Sequence, residues 1–164
     1  MIRTLTLLSL LCSQAFAVEI EPFTSDGCSA FPDGTMEQEK LWLECCKAHD
    51  YAYWKGGSYE ERVAADEALK ACVAETGQEE VAALMLTGVR IGGTPYFPTD
   101  FRWGYGWPVG RGYKPLSAAE EEAVRRSEAA AEQETNNKES EISGTMTDAT
   151  GLRKQKDTKL EDDL

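Results

Sequence analysis

The chain has a single histidine, few basic residues and no long apolar run beyond its first residues. Its 164 residues carry 29 acidic and 17 basic side chains, for a formal net charge of −12 at pH 7. An acidic chain is repelled by nucleic-acid phosphates, so we expect no nucleic-acid partner through the overall field. No later run approaches the roughly 20 apolar residues that a membrane-spanning helix needs, so we expect no transmembrane segment.

Residues 1–17 have the features of a signal peptide. Arg3 supplies the positive charge, LTLLSLLC is a short apolar run, and the pattern of small residues Ala15-Phe16-Ala17 fits a cleavage site. We therefore expect this segment to be removed and the mature protein to be secreted or periplasmic. We also expect a monomer, although no sequence feature reports the oligomeric state.

The cysteine count is low, and export would leave only Cys28, Cys45, Cys46 and Cys72. An even number in an oxidising compartment predicts two disulfides, but four cysteines allow three pairings and spacing alone does not choose among them. The alternative is a metal site formed by Cys45, Cys46 and His49. Adjacent cysteines on a helix point about 100° apart, which suits two different disulfide partners better than one ion.

Helical periodicity predicts a mainly α fold built on two antiparallel helices and a shorter third helix. The first helix is predicted to begin after Thr35, in a capping box, and to end near Lys55. The second is predicted to follow a capping box at Ser58 and to stop near Gly77, and the third to cover about 79–90. Because few residues join the first two helices, we expect them to lie antiparallel.

This antiparallel arrangement predicts a histidine–carboxylate contact. Counted outward from the Gly56-Gly57 turn, His49 and Asp66 lie at comparable depth on the two helices. A disulfide from Cys72 to the first helix would fix their contact.

Composition divides the remainder of the chain into two parts. The predicted domain covers residues 18–115 and ends in an aromatic, glycine-rich loop at 96–113, whose rings could pack on the helices or lie at a membrane interface. Residues 116–164 form an acidic, Ala/Glu-rich tail. Its first part could form a solvated helix that begins in a capping box of Ser117 and Glu120. We predict that the tail is largely disordered, because residues 136–164 are polar and have no aromatic residue.

Three motifs in this order resemble secreted phospholipase A2: D-G-C at 26–28, C-C-x-x-H-D-x-x-Y at 45–53 and D-x-x-L-x-x-C at 66–72. The resemblance covers about residues 24–73. The chain resembles a small and divergent member of this type, closer to the bacterial and fungal enzymes. The implied activity is calcium-dependent hydrolysis of the sn-2 ester of glycerophospholipids, and the implied partner is phospholipid at a membrane or micelle surface.

The resemblance also implies catalytic roles. His49 matches the general base that activates water, Asp66 the carboxylate that orients the imidazole, and Tyr53 the tyrosine that supports both. An imidazole is a good proton acceptor near neutral pH, and a carboxylate on its far nitrogen fixes the tautomer.

The resemblance implies a Ca²⁺ site and a disulfide pairing. Asp50 matches the calcium ligand, and alignment on Cys28 adds the backbone carbonyls of Gly27, Ser29 and Phe31. The loop DGCSAFPDG departs from the family's Y-G-C-x-C-G-x-G, so a non-catalytic lipid- or protein-binding module is the alternative function. The disulfides that the resemblance implies join Cys28 to Cys46 and Cys45 to Cys72.

Overall fold

The computed structural model describes residues 18–161, with side chains described for residues 18–142. The predicted signal peptide, residues 1–17, lies outside the described part of the chain. Within that part there are four helices and no strand, which confirms the mainly helical class. None of its helices is long and apolar enough to cross a bilayer. The helices are α1 (Leu43–Lys55), α2 (Tyr59–Glu75), α3 (Glu79–Gly92) and α4 (Ala118–Glu161).

The beginning of α1 differs from the prediction. The Thr35 hydroxyl does accept a hydrogen bond from the Gln38 amide at 3.0 Å, as in a cap, but the chain then forms turns and the helix begins only at Leu43. The reason is a backbone hydrogen bond of 3.0 Å from Trp42 N to Asp33 O, which folds the segment back on itself. The predicted start after Thr35 is therefore wrong, because the capping signal belongs to a turn.

Helices α1 and α2 lie antiparallel, as predicted, and the predicted capping box at Ser58 begins α2. Contacts between the helices run in opposite order along the two sequences. From one end to the other they are a disulfide between Cys45 and Cys72, a contact between His49 and Asp66, and a hydrogen bond between Tyr53 and Arg62.

Two hydrophobic clusters form the core. The first joins α1, α2 and α3, and the second joins the end of α1 to the aromatic loop and to the beginning of α4. The Cys45–Cys72 disulfide lies in the first cluster, and a second disulfide, Cys28–Cys46, ties the loop before α1 to that helix. The buried members of the first cluster are Trp42, Cys45, Cys46, Leu69, Val73, Ala82 and Met85, and those of the second are Trp54, Trp107, Ala123 and Val124.

The aromatic loop packs its tryptophans against the end of α1. The indole of Trp103 donates to Gly57 O at 2.9 Å, and the indole of Trp107 donates to Lys55 O at 2.6 Å. The last carbonyls of a helix have no partner within the helix, so the Trp107 bond satisfies the carbonyl of Lys55, whereas Gly57 O also accepts from Lys114 N at 2.9 Å. Packing thus accounts for the two tryptophans, whereas Tyr96, Phe97 and Phe101 of the same loop are exposed.

The tail begins within the core. Ala123 and Val124 are buried and the Tyr51 hydroxyl donates to the Glu128 carboxylate, so contacts with the domain extend past residue 115, where its boundary was predicted. The tail continues as one helix to Glu161, with ion pairs one turn apart such as Lys138–Glu134. Alanine and glutamate are strong helix formers, so the helix needs little packing, and the side chains of 129–142 are exposed.

Candidate functional site

The histidine–carboxylate contact predicted from the two helices is present. His49 Nε2 lies 3.0 Å from Asp66 Oδ1, and Asp66 is fully buried. An ionised carboxylate can only accept, so in the neutral imidazole the proton is on Nε2. Nδ1 has no hydrogen bond within the described residues, and it is not among the enclosed polar atoms that lack a partner. This nitrogen is therefore open to the cavity and able to accept a proton.

Tyr53, one helical turn after His49, supports the pair. Its hydroxyl donates to Asp66 Oδ1 at 2.7 Å, and its ring centroid lies 4.2 Å from that of the imidazole. Burial, and then the charge of Asp66, raise the pKa of Tyr53 far above its ordinary value, so the phenol acts as a donor at all ordinary pH. A Cβ atom at Gly93 would lie 2.5 Å from this hydroxyl, so glycine is needed there.

Two arginines near Asp66 were missed by the sequence analysis. Arg90 Nε lies 2.8 Å from Asp66 Oδ2, and Arg62 Nε lies 3.9 Å from the same oxygen. Arg62 precedes Asp66 by one helical turn, a spacing that could have indicated the contact. Arg90 comes from α3, and no local sequence signal indicates that it reaches Asp66.

Asp50 faces the loop that precedes α1. Its Oδ2 accepts a hydrogen bond of 2.6 Å from the Ser25 hydroxyl, and no ion pair reaches it within the described residues. The pKa of Asp50 is raised to about 6, chiefly by burial and also by the charges of Asp26 and Asp33, whereas the Ser25 hydrogen bond and the charge of His49 act to lower it. The three carboxylates gather negative charge here, which is the electrostatic condition that favours a bound cation.

The loop before α1 has carbonyls available to a cation. Cys28 O accepts a hydrogen bond from Phe31 N at 3.1 Å, whereas the carbonyls of Gly27, Ser29 and Phe31 accept none from the described residues. Gly27 and Ser29 have positive φ angles of 81° and 53°, which turn the backbone sharply at both positions. All of the atoms available to bind a cation here are oxygens. Oxygen is the ligand type that Ca²⁺ prefers, so the residues fit this ion.

Side-chain clusters alone do not provide a metal site in the described part of the chain. No group of three histidine, cysteine, aspartate or glutamate side chains there is arranged to hold an ion. A cation beside Asp50 would therefore depend on the loop carbonyls. The alternative site of Cys45, Cys46 and His49 is wrong for this structure, because both thiols are in disulfides.

A cavity of about 490 Å³ brings most of the predicted residues together. Asp66 is not part of its wall, because it lies buried behind His49. The remaining wall is largely apolar and comes mainly from α3, with Leu69 of α2 and Phe101 of the aromatic loop. The predicted residues in the wall are Gly27, Ser29, Phe31, His49, Asp50 and Tyr53, and the apolar ones include Leu69, Leu84, Met85, Val89 and Phe101.

No protein-family model, curated protein or solved structure matches this chain. A function for this chain is therefore inferred from the geometry of the site and from the three motifs.

Proposed function

We propose that the protein hydrolyses the sn-2 ester of glycerophospholipids in a calcium-dependent reaction of the secreted phospholipase A2 type. One observation carries the proposal. His49 is bonded through Nε2 to buried Asp66, while its Nδ1 opens on an apolar cavity edged by Asp50. An imidazole supported on one side and free on the other is the arrangement of a general base.

The chain's own residues account for the proton transfer. His49 Nδ1 accepts a proton from a water molecule as that water attacks the ester carbonyl. The imidazolium that forms is stabilised by Asp66, which lies 3.0 Å from Nε2. Tyr53 fixes the position of the carboxylate from the cavity side. When the alcohol departs, the same imidazolium returns the proton to the leaving oxygen.

Asp50 and the carbonyls of Gly27, Ser29 and Phe31 would hold the cation next to this base. When bound, Ca²⁺ supplies polarisation of the ester carbonyl and stabilisation of the charge that develops on its oxygen. The Cys28–Cys46 disulfide supports this arrangement because it joins the loop to α1 at a residue three positions before His49.

The apolar wall of the cavity suits an acyl chain as substrate. Leu69, Met85 and Val89 line the cavity, and Asp50 and His49 are the only acidic or basic residues among the described residues of its wall. Burial of each methylene group contributes about 0.8 kcal/mol, so a fatty acyl ester is favoured over a short water-soluble ester. The two disulfides are typical of proteins in an oxidising compartment, which supports a secreted or periplasmic location.

Fatty-acid release from mixed phospholipid micelles, with Ca²⁺ and then with excess chelator, tests the proposal. We expect release that depends on Ca²⁺ and that is lost in His49→Gln. Lys47→Ala is the matched control, since Lys47 is an exposed residue on the same helix and its described ion pair is with Glu44. Absence of release from wild-type protein with both disulfides formed would refute the enzyme and leave the lipid- or protein-binding module.

A further inference from the structure

The two oxygens of the buried Asp66 carboxylate face different partners. Oδ1 is next to His49 Nε2 and the Tyr53 hydroxyl, at 3.0 and 2.7 Å. Oδ2 is next to Arg90 Nε at 2.8 Å. This last contact is ionic and lacks hydrogen-bond geometry, and neither atom has a hydrogen bond to any other described group. Within the described residues, each of these two atoms is therefore the nearest polar partner that the other has.

Arg90 is itself held in place by α2. Its Nη2 donates to Val63 O at 3.2 Å and to Glu67 Oε1 at 3.1 Å. An arginine of α2 likewise reaches α3. Arg62 donates through Nη2 to the carbonyls of Val89 and Arg90, at 2.8 and 2.9 Å. Each helix thus sends one guanidinium group across to the other, and Arg90 has little freedom to move away from Asp66.

The charge balance explains why an arginine is needed. A buried carboxylate is costly unless a cation or several donors compensate it. In the resting site the imidazole is a neutral donor, so it supplies no positive charge to Asp66. Arg90 supplies that charge at 2.8 Å, whereas the Nε atom of Arg62 is more distant at 3.9 Å.

We propose that Arg90 is a positioning residue of this site. It holds the Asp66 carboxylate in place through Oδ2, so that Oδ1 keeps the neutral His49 in the Nε2–H form with Nδ1 free. The kinetic consequence rests on the proposed function, whereas the effect on the tautomer does not. The residue acts from α3, the helix that also forms part of the apolar wall of the cavity.

The single histidine makes the proposal directly measurable. The ¹⁵N resonances of the two imidazole nitrogens report which one carries the proton, and no other histidine overlaps them. In wild-type protein above the titration of the ring we expect the Nε2–H form. In Arg90→Gln we expect a mixture of the two tautomers, and a kcat about 10- to 100-fold lower with a smaller change in KM.

Two further variants separate positioning from general damage. Arg90→Lys retains the charge and is expected to restore part of kcat and of the Nε2–H form. Arg125→Gln removes an exposed guanidinium on α4 whose described partner is Glu122 and is expected to leave both unchanged. If Arg90→Gln does not fold, Arg90→Met, which retains the apolar stem, takes its place in the comparison.

An unchanged tautomer in a folded Arg90→Gln or Arg90→Met protein with both disulfides formed would overturn the proposal. An equal change in Arg125→Gln would also overturn it, because the effect would then not depend on the contact with Asp66. Wild-type protein that hydrolyses no phospholipid, but whose tautomer changes in Arg90→Gln, would refute the proposed function and support the positioning role.

Discussion

The two disulfides have similar predicted effects on stability and different predicted effects on function. Cys45–Cys72 joins residues 27 apart, and Cys28–Cys46 joins residues 18 apart. On the chain-entropy relation for loop closure, removing them lowers the free energy of unfolding by about 3.6 and about 3.2 kcal/mol respectively. The near equality makes each double alanine variant a matched control for the other.

The positions of the two disulfides predict which of them affects the Ca²⁺ requirement. Cys28–Cys46 fixes the loop that carries the carbonyls of Gly27, Ser29 and Phe31, so its removal should raise the Ca²⁺ concentration needed for half-maximal activity. Because that loop contributes nothing to the His49–Asp66 contact, activity at saturating Ca²⁺ should be retained. Removal of Cys45–Cys72 should leave the Ca²⁺ requirement unchanged, because no loop ligand is released.

The assay is urea unfolding of each purified variant together with fatty-acid release over a Ca²⁺ titration. Both variants should lose comparable stability, and only the Cys28→Ala/Cys46→Ala variant should change the Ca²⁺ midpoint. An identical Ca²⁺ midpoint in both folded variants would refute the reasoning, because the loop would then not hold the cation.

Three other predictions follow from single features. Because the pKa of Asp50 is raised to about 6 and a protonated carboxyl is a poor ligand, Ca²⁺ binding measured by calorimetry should weaken as the pH falls through about 6. Ser25→Ala removes a hydrogen bond that lowers this pKa, so in that variant the weakening should begin at higher pH. An unchanged pH profile would contradict the assignment of Asp50 as a Ca²⁺ ligand. Gly93→Ala should lower kcat, since its Cβ would lie 2.5 Å from the Tyr53 hydroxyl, and normal kinetics would show that the ring can move freely. A chain that ends after Ala131 should keep its melting temperature and activity, whereas Val124→Asp should lower the melting temperature, because Val124 is buried and residues 129–142 are exposed.

Local signals in the sequence predicted the parts of the site that depend on neighbours along the chain. Helical spacing placed His49 on the face that meets α2, and counting outward from the Gly56-Gly57 turn placed Asp66 opposite it. The same kind of signal failed at Thr35, because a backbone hydrogen bond between Trp42 and Asp33 closes a turn there instead of starting a helix.

The contacts that the sequence did not indicate join distant segments. Arg90 reaches Asp66 from another helix, and Trp107 reaches the end of α1 from a loop more than 50 residues away. The beginning of α4 packs by only two small apolar side chains, Ala123 and Val124, within a strongly acidic segment. Composition describes the average of such a segment, whereas packing depends on the few residues on one face.

The way the aromatic loop caps α1 affects the order in which the protein opens. The disulfides hold the first turn of that helix at Cys45 and Cys46, and the indoles of Trp103 and Trp107 hold the backbone just beyond its last turns. A helix fixed at both ends cannot fray, so the amides around His49 should exchange with solvent only when the whole domain unfolds. The site would therefore retain its geometry up to global unfolding, and loss of activity on heating should coincide with loss of the tertiary signal from the tryptophans.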